Sequence, residues 1–150
     1  MYMKKRIIIT GANGFIGSHI IAELIASEIP VTAMVRNSSN IDILKKIKCH
    51  NIVKSDKYLD PAIIRKLSIS QPEHFIHCAY AEKDSLDALK LIDAVQLAKQ
   101  LDCKSFVTVG TYEEYGQAQN NIDENIVCDP ISELGKSKYS MFLLANRLCN

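Results

Sequence analysis

The sequence predicts a doubly wound α/β fold, a parallel sheet in the strand order 3-2-1-4-5 with helices on both faces. Two observations predict it. Five apolar runs of strand length alternate with segments of helical periodicity, and β-α-β order throughout implies a parallel sheet built through right-handed crossovers. The first run, Ile7-Ile8-Ile9, leads into Thr10-Gly11-Ala12-Asn13-Gly14-Phe15-Ile16-Gly17 and an amphipathic stretch, the order of strand, glycine turn and helix N-terminus. At 150 residues, 47% hydrophobic and 23% charged, the chain is expected to form one globular domain over residues 1–150.

The elements follow in order. The first helix is expected at 15–27, with Ile16, Ile20, Leu24 and Ile25 toward the core, and Glu28-Ile29-Pro30 ends it. The second strand is 31–35. Asn40 then caps a helix to residue 48 with Ile41, Leu44 and Ile47 on one side, before a weak third strand at 50–54. Asp60-Pro61 places an N-cap aspartate and an N1 proline at the start of the next helix. The fourth strand is expected at 75–79 and a long helix at 85–101, with Leu86, Leu89, Ile92 or Asp93, and Leu97 near helical spacing. A fifth strand at 105–109 and a helix at 137–149, with Tyr139, Phe142, Leu143 and Leu148 as apolar members, complete the chain.

The glycine turn carries the chemistry. Gly11 permits a sharp turn, Gly14 removes a side chain where a pyrophosphate approaches the backbone, and Gly17 lets helix and strand pack closely. Together with Asn13, Phe15 and Ile16 they present the N–H groups and positive dipole end of a helix to phosphate. The spacing G-x-x-G-x-x-G, in that context, resembles the nucleotide-binding start of the extended short-chain dehydrogenases/reductases. At the end of the second strand, beside the adenosine ribose, Arg36 stands with Asn37-Ser38-Ser39. Guanidinium, amide and hydroxyl donors suit a 2′-phosphate dianion, so NADP is expected in preference to NAD. Asp56, leaving the third strand, is a candidate acceptor for the adenine amino group. Small Ala79 and Ala81 leave room for the nicotinamide half over the strand tips. His77, among apolar neighbours, reads as a core histidine.

Other classes are excluded. Eighteen basic against seventeen acidic residues leave no net charge to attract nucleic acid or an anionic membrane, and neither is expected as a partner. The apolar run after Lys4-Lys5-Arg6 is too short for a signal core, and no stretch approaches a membrane span. Five scattered cysteines without a C-x-x-C pair argue for a reducing compartment, so the expected location is cytoplasmic. They also argue against a zinc site. His74 and His77, at an odd strand offset, face opposite sides, and no metal site is expected.

After the fifth strand come Gly110-Thr111-Tyr112-Glu113-Glu114-Tyr115-Gly116 and, further on, Ser132-Glu133-Leu134-Gly135-Lys136-Ser137-Lys138. With these, the chain from Lys5 onward resembles the amino-terminal half of the NAD(P)-dependent sugar-nucleotide epimerases, dehydratases and reductases. The resemblance implies a Rossmann-type fold and hydride transfer on a carbon of a nucleoside-diphosphate sugar. It implies that Thr111 polarises the substrate oxygen and that Lys138, the lysine of a Y-x-x-x-K helix motif, binds the nicotinamide ribose. Glu113 matches a dehydratase glutamate, Tyr112 stands where those enzymes carry an aspartate, and Asp87 where the family has asparagine. The motif tyrosine is replaced by Leu134, which transfers no proton, so activity is expected to be impaired. Tyr112, Glu113, Tyr115 and Tyr139 are the groups within reach in sequence to replace it. The resemblance leads to the expectation that the family's carboxyl-terminal substrate region is lacking and that the fifth strand is left an open edge. The long helix and the Lys138 helix form a dimer interface in the family, so a homodimer is expected. Leu134 and the length keep a second reading open, a non-catalytic nucleotide-binding or interaction module.

Overall fold

The computed structural model describes residues 6–80, 84–117 and 121–149. They form two compact units, one running to Val107 and one from Thr108 onward.

The elements are β1 (Ile7–Thr10), α1 (Phe15–Ala26), β2 (Val31–Val35), α2 (Asp42–Lys46), β3 (Ile52–Lys54), α3 (Pro61–Ser68), β4 (His74–His77), α4 (Asp84–Gln100), β5 (Ser105–Thr108) and α5 (Glu133–Cys149). A 3-10 turn at Tyr112–Tyr115 lies between the last two. The sheet has the expected order, β3-β2-β1-β4-β5. Every described pairing register is parallel, with Ile7 opposite both Val31 and His74, and Ala33 opposite Ile52.

Strand alternation splits the core between the two faces of the sheet. Ile8, Met34, Val53 and Phe75 look toward α3 and α4, where they meet Leu67, Ala94 and Leu97. Ile9, Ala33 and Val35 look toward α1 and α2 and meet Ile21 and Leu44. Phe106 of β5 stacks on Phe75 with ring centroids 5.5 Å apart. The N-cap of α3 is as expected: Asp60 accepts from the Ala62 N–H at 2.8 Å, and Pro61 opens the helix. His74 and His77 serve separate bonds, to Ser105 Oγ and Thr10 Oγ1, each at 2.7 Å.

Several expected details are corrected. In α1, Ile20, Leu24 and Ile25 pack against the core as expected, beside the buried Gly17, Ser18 and Ile21, while Ile16, in the first turn, is 45% exposed. Asn40 acts one residue early, accepting from the Asp42 N–H at 2.7 Å, and α2 is shorter than expected. β3 starts at Ile52 rather than residue 50. β4 ends at His77, since Cys78 and Ala79 turn over Gly11. In α4, Leu97 is buried as expected, together with Leu91, Ala94, Val95 and Ala98, while Leu89 is 58% exposed. The side chain of Leu86, like all of Ala81, lies outside the described residues.

The unit from Thr108 pairs the 3-10 turn with α5. That helix begins at Glu133, four residues before the expected start, because Ser132 Oγ accepts from the Gly135 N–H at 3.0 Å and so begins it early. Its buried positions are Gly135, Met141 and Ala145, while Phe142 and Leu143 are exposed.

Candidate functional site

The turn after β1 builds the site. Gly11 has φ +64°, and a side chain there would come within 2.5 Å of Ala79 N and 2.6 Å of the Cys78 carbonyl. A Cβ on Gly17 would stand 2.4 Å from the Gly11 carbonyl oxygen. The protein's own packing therefore demands glycine at both positions. Gly14 differs. A Cβ there would meet only the Gly11 oxygen, at 3.2 Å, so the room it leaves is mostly outside the protein. Gly14 is the N-cap of α1 with no side-chain cap, and no acidic residue occupies the first turn. The first-turn N–H groups and the positive end of the dipole face outward, which suits an anion.

That helix end opens into a cleft of about 590 Å³ along the carboxyl ends of β1 to β4. Gly11, Asn13, Gly14, Phe15, Ile16 and Gly17 line it, and Phe15 is 82% exposed. Arg36 lines it at the exit of β2, Asp56 at the exit of β3 and Ala79 at the exit of β4. Of the residues expected to hold the cofactor, all but Lys138 therefore share one cleft. Asn13 also donates to the Asn40 carbonyl at 3.2 Å, tying the glycine turn to the start of α2.

Asp56 is more engaged than its expected role implies. One carboxylate oxygen accepts from the Asn37 backbone N–H at 3.2 Å and the other from the Asn37 amide at 2.7 Å. This pair joins the loops leaving β2 and β3. Cys78 also lines the cleft; burial raises its thiol pKa, so it is a small packed residue rather than a nucleophile.

Sequence reasoning missed Tyr58 and Lys90 and left Asp87 without an assigned task. All three line the cleft. Tyr58 is buried, and its phenol is pushed up to about 12, mainly by burial, with Asp93 and Asp87 adding to the rise and a hydrogen bond to Thr10 opposing it. Thr10 in turn bonds His77, whose ring meets Tyr58 edge-on at 6.3 Å. Asp87 is buried in the first half of α4. The available signal was helical spacing, since Asp87 and Lys90 are i,i+3 on one face of α4.

In the second unit, Thr111 is the N-cap of the 3-10 turn. Its hydroxyl accepts from the Glu113 N–H at 3.4 Å, and its own N–H donates to Glu114 Oε1 at 2.7 Å, completing a capping box. Glu113 accepts a short hydrogen bond from Ser132 Oγ, and its carbonyl lies so close to Gly135 that any side chain there would collide with it. Tyr112 is 74% exposed. Lys138 is half-buried on α5, and Leu134, 39% exposed, lies one turn before it on the same face.

Among the described residues no three His, Cys, Asp or Glu side chains are grouped to hold a metal ion, and no helix is long and apolar enough to cross a membrane.

An open parallel sheet with a glycine-lined cleft at its strand ends defines a Rossmann-type α/β protein. The chain belongs to the NAD dependent epimerase/dehydratase family, whose sequence model matches residues 7–150. It is similar in fold to UDP-glucose 4-epimerase of Thermotoga maritima, solved with UDP-glucose, at 22% identity and TM-score 0.68 over 95% of this chain and 50% of that one. WbmG of Bordetella bronchiseptica, in complex with NAD and UDP, gives 19% identity and TM-score 0.75 over 97% of this chain and 50% of that one. dTDP-glucose 4,6-dehydratase of Bacillus anthracis, in complex with NAD, gives 20% and 0.73 over 96% and 50%. The chain spans about half the length of these structures. No curated protein matches it.

Proposed function

We propose that the cleft binds a nicotinamide dinucleotide, NADP(H) in preference to NAD(H), as the cofactor part of an enzyme that transfers hydride on a carbon of a nucleoside-diphosphate sugar. The observation that carries this reading is Gly14: a helix end without a cap, at a glycine that internal packing scarcely requires, facing a cleft of dinucleotide size. Two of the similar structures are complexes with NAD and one with a UDP-sugar, which supports the cofactor and substrate classes. The preference for the 2′-phosphorylated form rests on Arg36 at the exit of β2, where a carboxylate would instead repel that phosphate.

In this reading the N–H groups around Gly14 to Gly17 hold the pyrophosphate and Arg36 holds the 2′-phosphate. The bound cofactor supplies the hydride acceptor and donor. Thr111, whose hydroxyl oxygen takes the Glu113 N–H, keeps its own proton to direct at a substrate oxygen. Lys138 is assigned the nicotinamide ribose by the sequence motif. Hydride transfer at an alcohol carbon needs a partner for the oxygen's proton, and Leu134 offers none. Glu113 is a weak substitute because its carboxylate already takes the Ser132 hydroxyl, and Tyr112 points into solvent. These two facts favour a second reading, a cofactor-binding module without turnover.

Melting the protein with and without NADPH and NADH tests the cofactor, because a ligand bound only by the folded state raises Tm. A rise with NADPH exceeding that with NADH is expected. No rise with either overturns the reading. Turnover of UDP- or dTDP-sugars separates the enzyme from the binding module.

A further inference from the structure

We propose that Lys90 is a ligand-binding residue of the cleft, donating a hydrogen bond to the base of the bound dinucleotide's adenosine half. The proposal rests on the dinucleotide reading above and assigns the end of the cleft that the glycine turn does not reach.

The order of the sheet sets the order of the ligand. Phosphate belongs at the α1 N-terminus beside β1, the next strand outward, β2, ends in Arg36, and the edge strand β3 ends in Asp56 and Tyr58. A dinucleotide laid across these tips from its pyrophosphate reaches the ribose at Arg36 and the base at Asp56, Tyr58 and Lys90. Asp56 can still accept, but a carboxylate has no hydrogen to give to a ring nitrogen of the base. Both Asp56 carboxylate oxygens accept from Asn37, and Tyr58 is buried.

Lys90 is the group with hydrogens to offer. It is half-buried on α4, and its Nζ donates to the Asp56 backbone carbonyl at 2.6 Å and lies 5.1 Å from the Tyr58 ring centroid. The carbonyl takes one of three ammonium protons, leaving two. Carbonyl and ring face fix a side chain that would otherwise be mobile, so the donor is aimed before the ligand arrives. A second cavity, of about 410 Å³, shares Asp56, Tyr58 and Lys90 with the cleft. A cation there can donate to a ring nitrogen of the adenine.

The test is titration calorimetry on the whole chain and its Lys90→Met and Lys90→Arg variants, using NADPH, ADP, nicotinamide mononucleotide and base-free ribose 5-phosphate. Lys90→Met is expected to weaken NADPH and ADP about tenfold, the loss of one charge-assisted hydrogen bond, while leaving the two base-free or adenine-free probes within about twofold. Lys90→Arg, which keeps donor and charge, is expected to recover most of the ADP affinity. Unchanged ADP binding by Lys90→Met overturns the proposal, and so does an equal loss for ribose 5-phosphate, which would make Lys90 a brace of the Asp56 loop. Failure of the unaltered protein to bind NADPH or ADP overturns the dinucleotide reading itself, and this proposal with it.

Discussion

The two units treat their polar groups in opposite ways. In the unit up to Val107, the uncapped end of α1, Arg36 and Lys90 line a cleft. In the unit from Thr108, the groups of the family's reaction motif close on one another: Thr111 with Glu114, Glu113 with Ser132. The first arrangement has the form of a binding site; in the second, in the reading proposed above, Leu134 stands where the reaction would need a proton-transferring group. In that reading binding and turnover are separable, and substitutions in each unit test them one at a time.

The largest effect is expected from placing a phenol at position 134. Leu134 is partly exposed on the same face of α5 as Lys138, so Leu134→Tyr should fold unchanged. If the protein acts on a nucleoside-diphosphate sugar, the variant should raise hydride transfer, followed by NADPH absorbance, by a factor of about 10²–10⁴. No gain favours the module without turnover.

Breaking the first unit takes a single methyl group. Gly11→Ala combines a left-handed backbone with contacts of 2.5–2.6 Å to the exit of β4. It should cost about 3 kcal/mol or more in urea unfolding. Arg36→Ala should leave stability within about 0.5 kcal/mol and weaken NADPH about 10–100-fold, as expected for a lost charge-assisted contact. NADH should be little affected, and an equal loss for both would remove the 2′-phosphate role.

Tyr58 gives a pH dependence of known sign. Its folded pKa, about 12, lies above its unfolded value near 10. The folded state therefore holds the proton more tightly, and the resulting stability is complete below about pH 10 and lost as pH rises toward 12. Tyr58→Phe should flatten the fall of unfolding free energy between those pH values, and an unchanged slope would contradict the burial of the phenol. The smallest effect is expected at Glu113. Glu113→Gln keeps an acceptor for Ser132 and should change stability by less than about 1 kcal/mol, whereas Glu113→Ala, which leaves the hydroxyl without that partner, should cost about 1–2 kcal/mol. A total loss of turnover in Glu113→Gln would return that carboxylate to acid/base chemistry.

The same contrast explains what could be read from sequence. The strand order and the glycine turn were legible because each local signal agreed with the fold: Ile7-Ile8-Ile9, the three glycines and Asp60-Pro61 admit few alternatives. Ile16 was misplaced because it lies in the first turn of α1 and lines the cleft, which a hydrophobic pattern does not distinguish from core, whereas Ile20, Leu24 and Ile25 were placed correctly. The start of α5 was missed because Ser132 caps it through a hydroxyl that also serves Glu113, a pairing distant in sequence. Tyr58 and Lys90 were illegible for a related reason. One is a loop residue and the other a charged helix residue until Thr10, Asp56 and the cleft surround them.

The central claim is that the space at Gly14 belongs to a ligand. It is tested most directly by titrating NADPH into the unaltered protein and Gly14→Ala, with both melted in parallel. The added methyl meets only the Gly11 oxygen at 3.2 Å. The account predicts a loss of stability under about 1 kcal/mol together with at least a tenfold loss of NADPH affinity. Equal NADPH affinity in the two proteins would contradict it.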